Sequence, residues 1–138
     1  MIVRHLLAAA LLAVTAATSA AESQTVAKPL QLRGTLGDAQ IQMRLQPKED
    51  IADGWEGSYF RFGHSLTVLL AGELEGGELA LEESENGTDV SGQWNGTLRG
   101  DTLAGEWMSA DGTVTKPFSL NVVPAAPSSK KPAANSSR

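Results

Sequence analysis

The sequence predicts an all-β protein: an eight-stranded antiparallel up-and-down meander closed into a small barrel, with a two-sheet sandwich as the alternative architecture. Three observations point there. All 14 glycines of the 138-residue chain lie between Gly34 and Gly112, far above the background of about 7%. Within that window apolar residues recur at every second position, the period of a half-buried strand. Six of the seven connections between the apolar runs contain a two-residue hairpin signal, a dipeptide suited to the positive φ that type I′ and II′ turns require.

The strands read in order as Leu30 to Leu36, Gln40 to Leu45, Trp55 to Phe62, Ser65 to Glu75, Glu78 to Glu85, Thr88 to Arg99, Thr102 to Ser109 and Val114 to Val122. Two-residue turns fix register, so each hairpin can be checked for consistency. Gly37-Asp38 sets Leu30 against Leu45 and Leu32 against Met43. The connection from Gln46 to Gly54 is longer and breaks parity. Gly63-His64 sets Tyr59 against Val68 and Trp55 against Gly72, and Gly76-Gly77 sets Leu74 against Leu79. Asn86-Gly87 sets Leu81 against Gly92 and Leu79 against Trp94. Gly100-Asp101 places Trp94 opposite Trp107, and Asp111-Gly112 places Leu103 opposite Leu120. Every turn puts the apolar sets of both its strands on one face, and a one-residue slip would send a set to the other.

The inward set is Leu30, Leu32, Leu36, Ile41, Met43, Leu45, Trp55, Tyr59, Leu66, Val68, Leu70, Leu74, Leu79, Leu81, Val90, Trp94, Leu98, Leu103, Trp107, Phe118, Leu120 and Val122. A sheet with one face this apolar must curl on itself or find a second layer. The opposite face is polar, with Gln31, Arg33, Gln40, Gln42, Arg44, Gln93 and Asn95 among its members. An outer-membrane barrel needs the reverse pattern. Six further glycines, at 34, 57, 72, 92, 96 and 105, fall inward within strands, where a missing side chain lets a strand bend and gives a neighbouring ring a floor. A packed interior is the expectation; the alternative is a cavity lined by Trp55, Tyr59, Trp94 and Trp107. Arg61 and Glu83 also have inward parity, near strand ends, and are expected as mouth residues reaching solvent that would become polar contacts of any pocket.

Outside the meander, residues 1–21 read as a secretory signal. Arg4 precedes the apolar run Leu6 to Val14, and small residues follow up to Ala21. That run is about half the ~20 residues needed to span a bilayer. Residues 22–28 read as a disordered lead-in, 29–123 as the barrel domain, and 124–138, rich in Pro, Ala, Ser and Lys, as a disordered tail. The expected location is periplasmic or secreted. The absence of cysteine excludes disulfides, thiolate metal sites, a cysteine nucleophile and a bacterial lipid anchor.

Residues 22–123 carry 7 basic and 16 acidic side chains, a net −9. Between Arg61 and Arg99 there is no Lys or Arg, while Glu73, Glu75, Glu78, Glu82, Glu83, Glu85 and Asp89 fall there. Such a surface repels phosphate backbones and anionic membranes, so neither nucleic acid nor membrane is the expected partner. A solvated face accounts for the charge; a docking face for a basic exported protein, through Glu75, Glu78 and Glu82, is the sharper reading.

The units VSGQWNG and LAGEWMS, with Pro117-Phe118-Ser119-Leu120 closing the last strand, resemble a group of small exported bacterial proteins of unassigned function built from Gly-x-Trp/Tyr hairpins. The resemblance covers about residues 54–122 and implies fold and export rather than activity. A weaker likeness is to avidin-type barrels, which also carry Gly-x-Trp/Tyr at strand starts, but their polar ligand contacts have no counterpart here. The spacing is too irregular for MORN repeats.

Catalytic chemistry is sparse. His64 sits at a hairpin tip, with no nucleophile or orienting carboxylate for a triad. Glu49, Asp50 and Asp53 lack the spacing of a calcium loop, and no metal site or cofactor is expected. Glutamates flanking turns, such as Glu75 and Glu78, lack the burial a general acid needs. The alanine-rich style of the signal suggests a bacterial origin, in which the Asn-x-Ser/Thr triplets at Asn86, Asn95 and Asn135 would usually mean nothing. The sequence therefore leads to a non-catalytic exported barrel that binds a protein, an inhibitor or immunity-like module. The alternatives are a carrier of a small apolar ligand, using Trp55, Tyr59, Arg61, Trp94 and Trp107, and an unrecognised hydrolase.

Overall fold

The computed structural model describes residues 27–124; the segment read as a signal, most of the lead-in and the tail beyond Pro124 lie outside the described residues. Eight strands follow in order: β1 (Leu30–Leu36), β2 (Ala39–Pro47), β3 (Gly54–Arg61), β4 (Thr67–Glu75), β5 (Glu78–Ser84), β6 (Gly92–Arg99), β7 (Thr102–Ser109) and β8 (Thr115–Val122). Each pairs antiparallel with the next, and β8 pairs with β1, so the meander is a closed barrel and not a sandwich. Closure removes both edges and buries the apolar face in one step.

At five of the six hairpins the register is the one the dipeptides predict, although the connections at Gly63-His64 and Asp111-Gly112 are wider than two residues, with His64 N–H bonded to the Arg61 carbonyl and Gly112 N–H to that of Ser109. Leu32 stands opposite Met43, Tyr59 opposite Val68, Leu74 opposite Leu79, Trp94 opposite Trp107 and Leu103 opposite Leu120. A path straight across the strands from Leu30 runs through Leu45, Gly57, Leu70, Glu83, Gly92 and Ser109. Continued through the β7–β8 and β8–β1 registers, it returns to the line of β1 ten residues from its start. That offset is even, so a residue pointing inward on β1 belongs to the same face after the full circuit.

One hairpin departs from its expected register. Leu81 stands opposite Trp94 rather than Gly92, and Glu83 opposite Gly92. The two-residue turn at Asn86-Gly87 does not form, because Asp53 is the only non-glycine with positive φ among the described residues, and a type I′ turn would need positive φ at Asn86 as well. Asn86 instead uses its side chain. Its Oδ1 accepts from the backbone N–H groups of Thr88 (2.9 Å) and Asp89 (2.8 Å), while Gly87 N–H donates to Ser84 Oγ (2.9 Å). The result is a wider loop held by an Asx turn, and the β5–β6 register moves by two residues. Parity survives the shift, so the apolar faces still agree.

The inward residues form one core in which Leu32, Ile41, Met43, Leu45, Trp94 and Leu120 are fully buried. Two of the expected inward residues are outside it. Leu66 and Val90 belong to connections beyond the strand ends and are 47% and 42% exposed. Inside, the strands approach so closely that some inward positions have no room for a side chain. A Cβ on Gly57 would strike the backbone carbonyl oxygen of Arg44 on β2, and one on Gly92 would lie 2.5 Å from the indole Nε1 of Trp107. Gly92 is the floor on which that ring rests.

Two outcomes follow from this packing. Gly57→Ala forces β2 and β3 apart and should destabilise the barrel by roughly 1–3 kcal/mol, read as a lower denaturant midpoint at unchanged slope. Asp111, in the β7–β8 connection, accepts from Ser109 Oγ, Thr113 N–H and Thr113 Oγ1. These bonds, Ser109's first, hold its carboxyl down at about 2. Since the folded value lies below the unfolded one, the turn's contribution is complete above about pH 4 and is lost as pH falls through about 2. NMR titration of the Asp111 carboxyl carbon should place its midpoint well below the ordinary aspartate value of about 4.

Candidate functional site

The connections β1–β2, β3–β4, β5–β6 and β7–β8 all lie at one end of the barrel, the upper end, and the buried polar chemistry gathers just inside it. Tyr59 on β3, Glu83 on β5 and Trp94 on β6 have inward parity and converge there. Glu83 Oε2 accepts from the Tyr59 hydroxyl and from Trp94 Nε1, each at 2.8 Å, and its Oε1 accepts from Ser91 Oγ at 3.2 Å. Expected at the mouth in solvent, Glu83 is only 2% exposed. The physical reason is the two-residue register shift of β5 against β6. It sets Glu83 beside Gly92 rather than Val90, and so brings the indole N–H of Trp94 within reach of the carboxylate. Arg61 remains half-buried near the end of β3.

A carboxylate in this position needs every oxygen satisfied, because an unpaired buried charge costs several kcal/mol. Three donors, from β3, β6 and the β5–β6 loop, meet that need. The effect on Tyr59 is reciprocal. Burial, and then the charge and hydrogen bond of Glu83, push its phenol far above the ordinary value, with the Arg61 guanidinium acting in the opposite direction.

The structure brings together some of the expected aromatic residues and separates others. Tyr59 and Trp94 meet edge to face at 5.1 Å between centroids, and Trp94 meets Phe118 at 4.9 Å. Trp107 stands opposite Trp94 on β7, with the Lys116 ammonium 5.5 Å from its ring centroid. Its Nε1 is buried and has no hydrogen-bond partner among the described residues. Trp55 begins β3 at the lower end, opposite Gly72 and Pro47, four residues along the strand from Tyr59. These rings belong to one buried core and serve as packing.

On the outside, Glu75, Glu78 and Glu82 are all exposed and share one face of the β4–β5 pair. Glu75 stands directly opposite Glu78, Glu82 opposite Ala71, and Glu73 opposite Ala80. Toward the upper end the character of this face changes. An open groove of about 600 Å³ has Leu69 and Ala71 of β4 in its floor and Gly87, Thr88 and Val90 of the β5–β6 loop along one wall. Arg44 is the one basic side chain lining it, against Glu56 and Glu82. Leu69 is 49% exposed, and a Cβ on Gly87 would lie 3.7 Å from its Cδ1.

No family model and no curated protein matches the chain. The site is therefore read from its own geometry. Among the described residues no group of three or more His, Asp or Glu side chains is placed to hold a metal ion, and Glu49, Asp50 and Asp53 are exposed in the β2–β3 connection.

Sequence reasoning had no route to the groove, which depends on where the 85–91 loop comes to rest. The parity of Glu83 was visible, and the one signal of its role was that it and Arg61 are ionisable residues on a largely apolar face.

The buried cluster has a spectroscopic handle, because Tyr59 is the only tyrosine in the chain. Its folded-state pKa is raised, so its contribution to stability is complete below about pH 10, the ordinary phenol value, and is lost as pH climbs beyond it. Alkaline titration should show no tyrosinate absorbance near pH 10 in the native protein, then an abrupt appearance coincident with unfolding. Tyr59→Phe should remove that coupling and cost about 2 kcal/mol through the hydrogen bond lost to the Glu83 carboxylate.

Proposed function

We propose that the protein is an exported, non-catalytic binding module that recognises a basic protein through the outer face of β4 and β5. The observation that carries this reading is the alignment of Glu75 directly across from Glu78, with Glu73 and Glu82 on the same face. Like charges opposed on neighbouring strands destabilise a sheet, and a cationic partner reverses the sign of that interaction. Solubility alone would be served as well by charges of both signs spread over the surface. The signal-like N-terminus and the resemblance to small exported proteins support the exported location.

The other readings are weaker on the same geometry. A carrier needs interior space, whereas Tyr59, Trp94 and Phe118 occupy the interior ring against ring. A hydrolase needs an available buried carboxylate, whereas both oxygens of Glu83 are engaged by Tyr59, Trp94 and Ser91.

The test is a binding assay of the full mature chain against a panel of purified basic exported proteins at low and physiological salt. At least one should bind stoichiometrically, more weakly as salt rises. The triple variant Glu75→Lys, Glu78→Lys, Glu82→Lys should lose that binding at least tenfold, while Glu106→Lys on β7 should retain it. Binding indifferent to the triple variant would overturn the reading.

A further inference from the structure

The acidic stripe and the groove floored by Leu69 and Ala71, whose remaining lining includes the polar Gln46, Ser58, Glu82 and Ser84, lie along one line of the barrel surface, and together they describe a partner more closely than charge alone. Leu69, Ala71, Glu73 and Glu75 are successive outward residues of β4. At about 3.3 Å per residue, Glu73 lies about 13 Å from Leu69 and Glu75 about 20 Å away. One end of this line is apolar and partly covered by a loop; the other is uniformly acidic.

Resting on the reading above, we propose that the partner is engaged through an extended segment. It carries a large apolar side chain at one position and lysine or arginine four and six residues along. The apolar group enters the groove between Leu69 and Val90, and the basic groups lie over Glu73, Glu75, Glu78 and Glu82. The barrel is closed, so the partner cannot add a strand to an edge and must be read through side chains. The groove is preformed, because the Asn86 side chain holds the loop by two backbone N–H bonds and a third to Asp89 at 2.9 Å. Preorganisation of this kind lowers the ordering cost of binding. An apolar anchor beside a charged rim is also the usual anatomy of a protein interface.

Two other occupants fit less well. Residues 125–138 of this chain bring Lys130, Lys131 and Arg138 but no large apolar side chain, so they could meet the stripe and not the groove. A second copy would bring the same acidic face to this one.

The experiment is fluorescence anisotropy of the full mature chain with three labelled peptides. The parent has Leu at one end and Lys four and six residues on, in a Gly/Ser background; one control replaces Leu by Ser and the other replaces both Lys by Ser. The parent should bind at least tenfold more tightly than either control. Leu69→Ser and Val90→Ser, both exposed positions, should each lower parent binding toward that of the Leu-less control and leave the control unchanged. The pair Glu75→Lys, Glu78→Lys should abolish binding of the parent and of the Leu-less control.

Equal binding of the parent and the Leu-less control overturns the groove while leaving the acidic face in place. Failure of every peptide to bind overturns the extended-segment proposal, and the basic-protein panel then decides the acidic face on its own. Tighter parent binding after deletion of residues 125–138 would make the tail the resident occupant, and self-association in sedimentation that Leu69→Ser abolishes would make it a second copy. Either result overturns the proposal.

Discussion

If β8 did not pair with β1, the meander would have two open edges and an apolar face with nothing to cover it. Closing the circuit with eight strands requires strong tilt and coiling, and these bring neighbouring backbones into space a side chain would otherwise fill. Gly57 against the Arg44 carbonyl oxygen shows the consequence, since no other residue fits there without pushing two strands apart. The even offset around the barrel is the other half of the constraint. It keeps the inward set of all eight strands on one side, so a single core can form from residues far apart in the chain.

Within that core the fold tolerates one charge. Glu83 is surrounded by donors from β3, β6 and the β5–β6 loop, and these make it a junction between strands rather than a defect. Replacing such a network by apolar groups can be neutral for stability, whereas removing one member leaves the rest unsatisfied. The cluster also ties the interior to the loop outside it. Ser91, which donates to Glu83, is the last residue before β6, and the same connection contributes Val90 to the wall of the outer groove. The position of that wall is therefore linked to a buried carboxylate.

The inside and the outside of the barrel have separate tasks. Rings and leucines fill the interior, so the proposed recognition falls to the outer surface. There the glutamates of β4 and β5 are held in opposition by a register that the buried leucines enforce, with Leu74 against Leu79 fixing Glu75 against Glu78 one position further along. The geometry of the proposed binding face is thus an external consequence of internal packing.

Most of the fold was legible in the chain because its signals are local. A period of two, a glycine dipeptide at a turn and the parity on either side of it involve residues only a few positions apart, and they determined strand order, the inward positions within the strands and all but one of the six hairpin registers. Closure into a barrel rather than a sandwich was favoured by the tight hairpins, but only the contact of β1 with β8, at opposite ends of the domain, decided it. The β5–β6 register was out of reach for a different reason. Asn86-Gly87 can serve either a two-residue turn or a wider Asx-capped loop, and only in the wider one does Trp94 reach the Glu83 carboxylate. That contact spans 11 residues, and the one to Tyr59 spans 24. Local pattern was enough to assign the inward side chains within the strands, and it failed only at Leu66 and Val90, beyond the strand ends. Tertiary structure alone decided which of them meet, because burying a charge depends on donors that converge only after the circuit is closed.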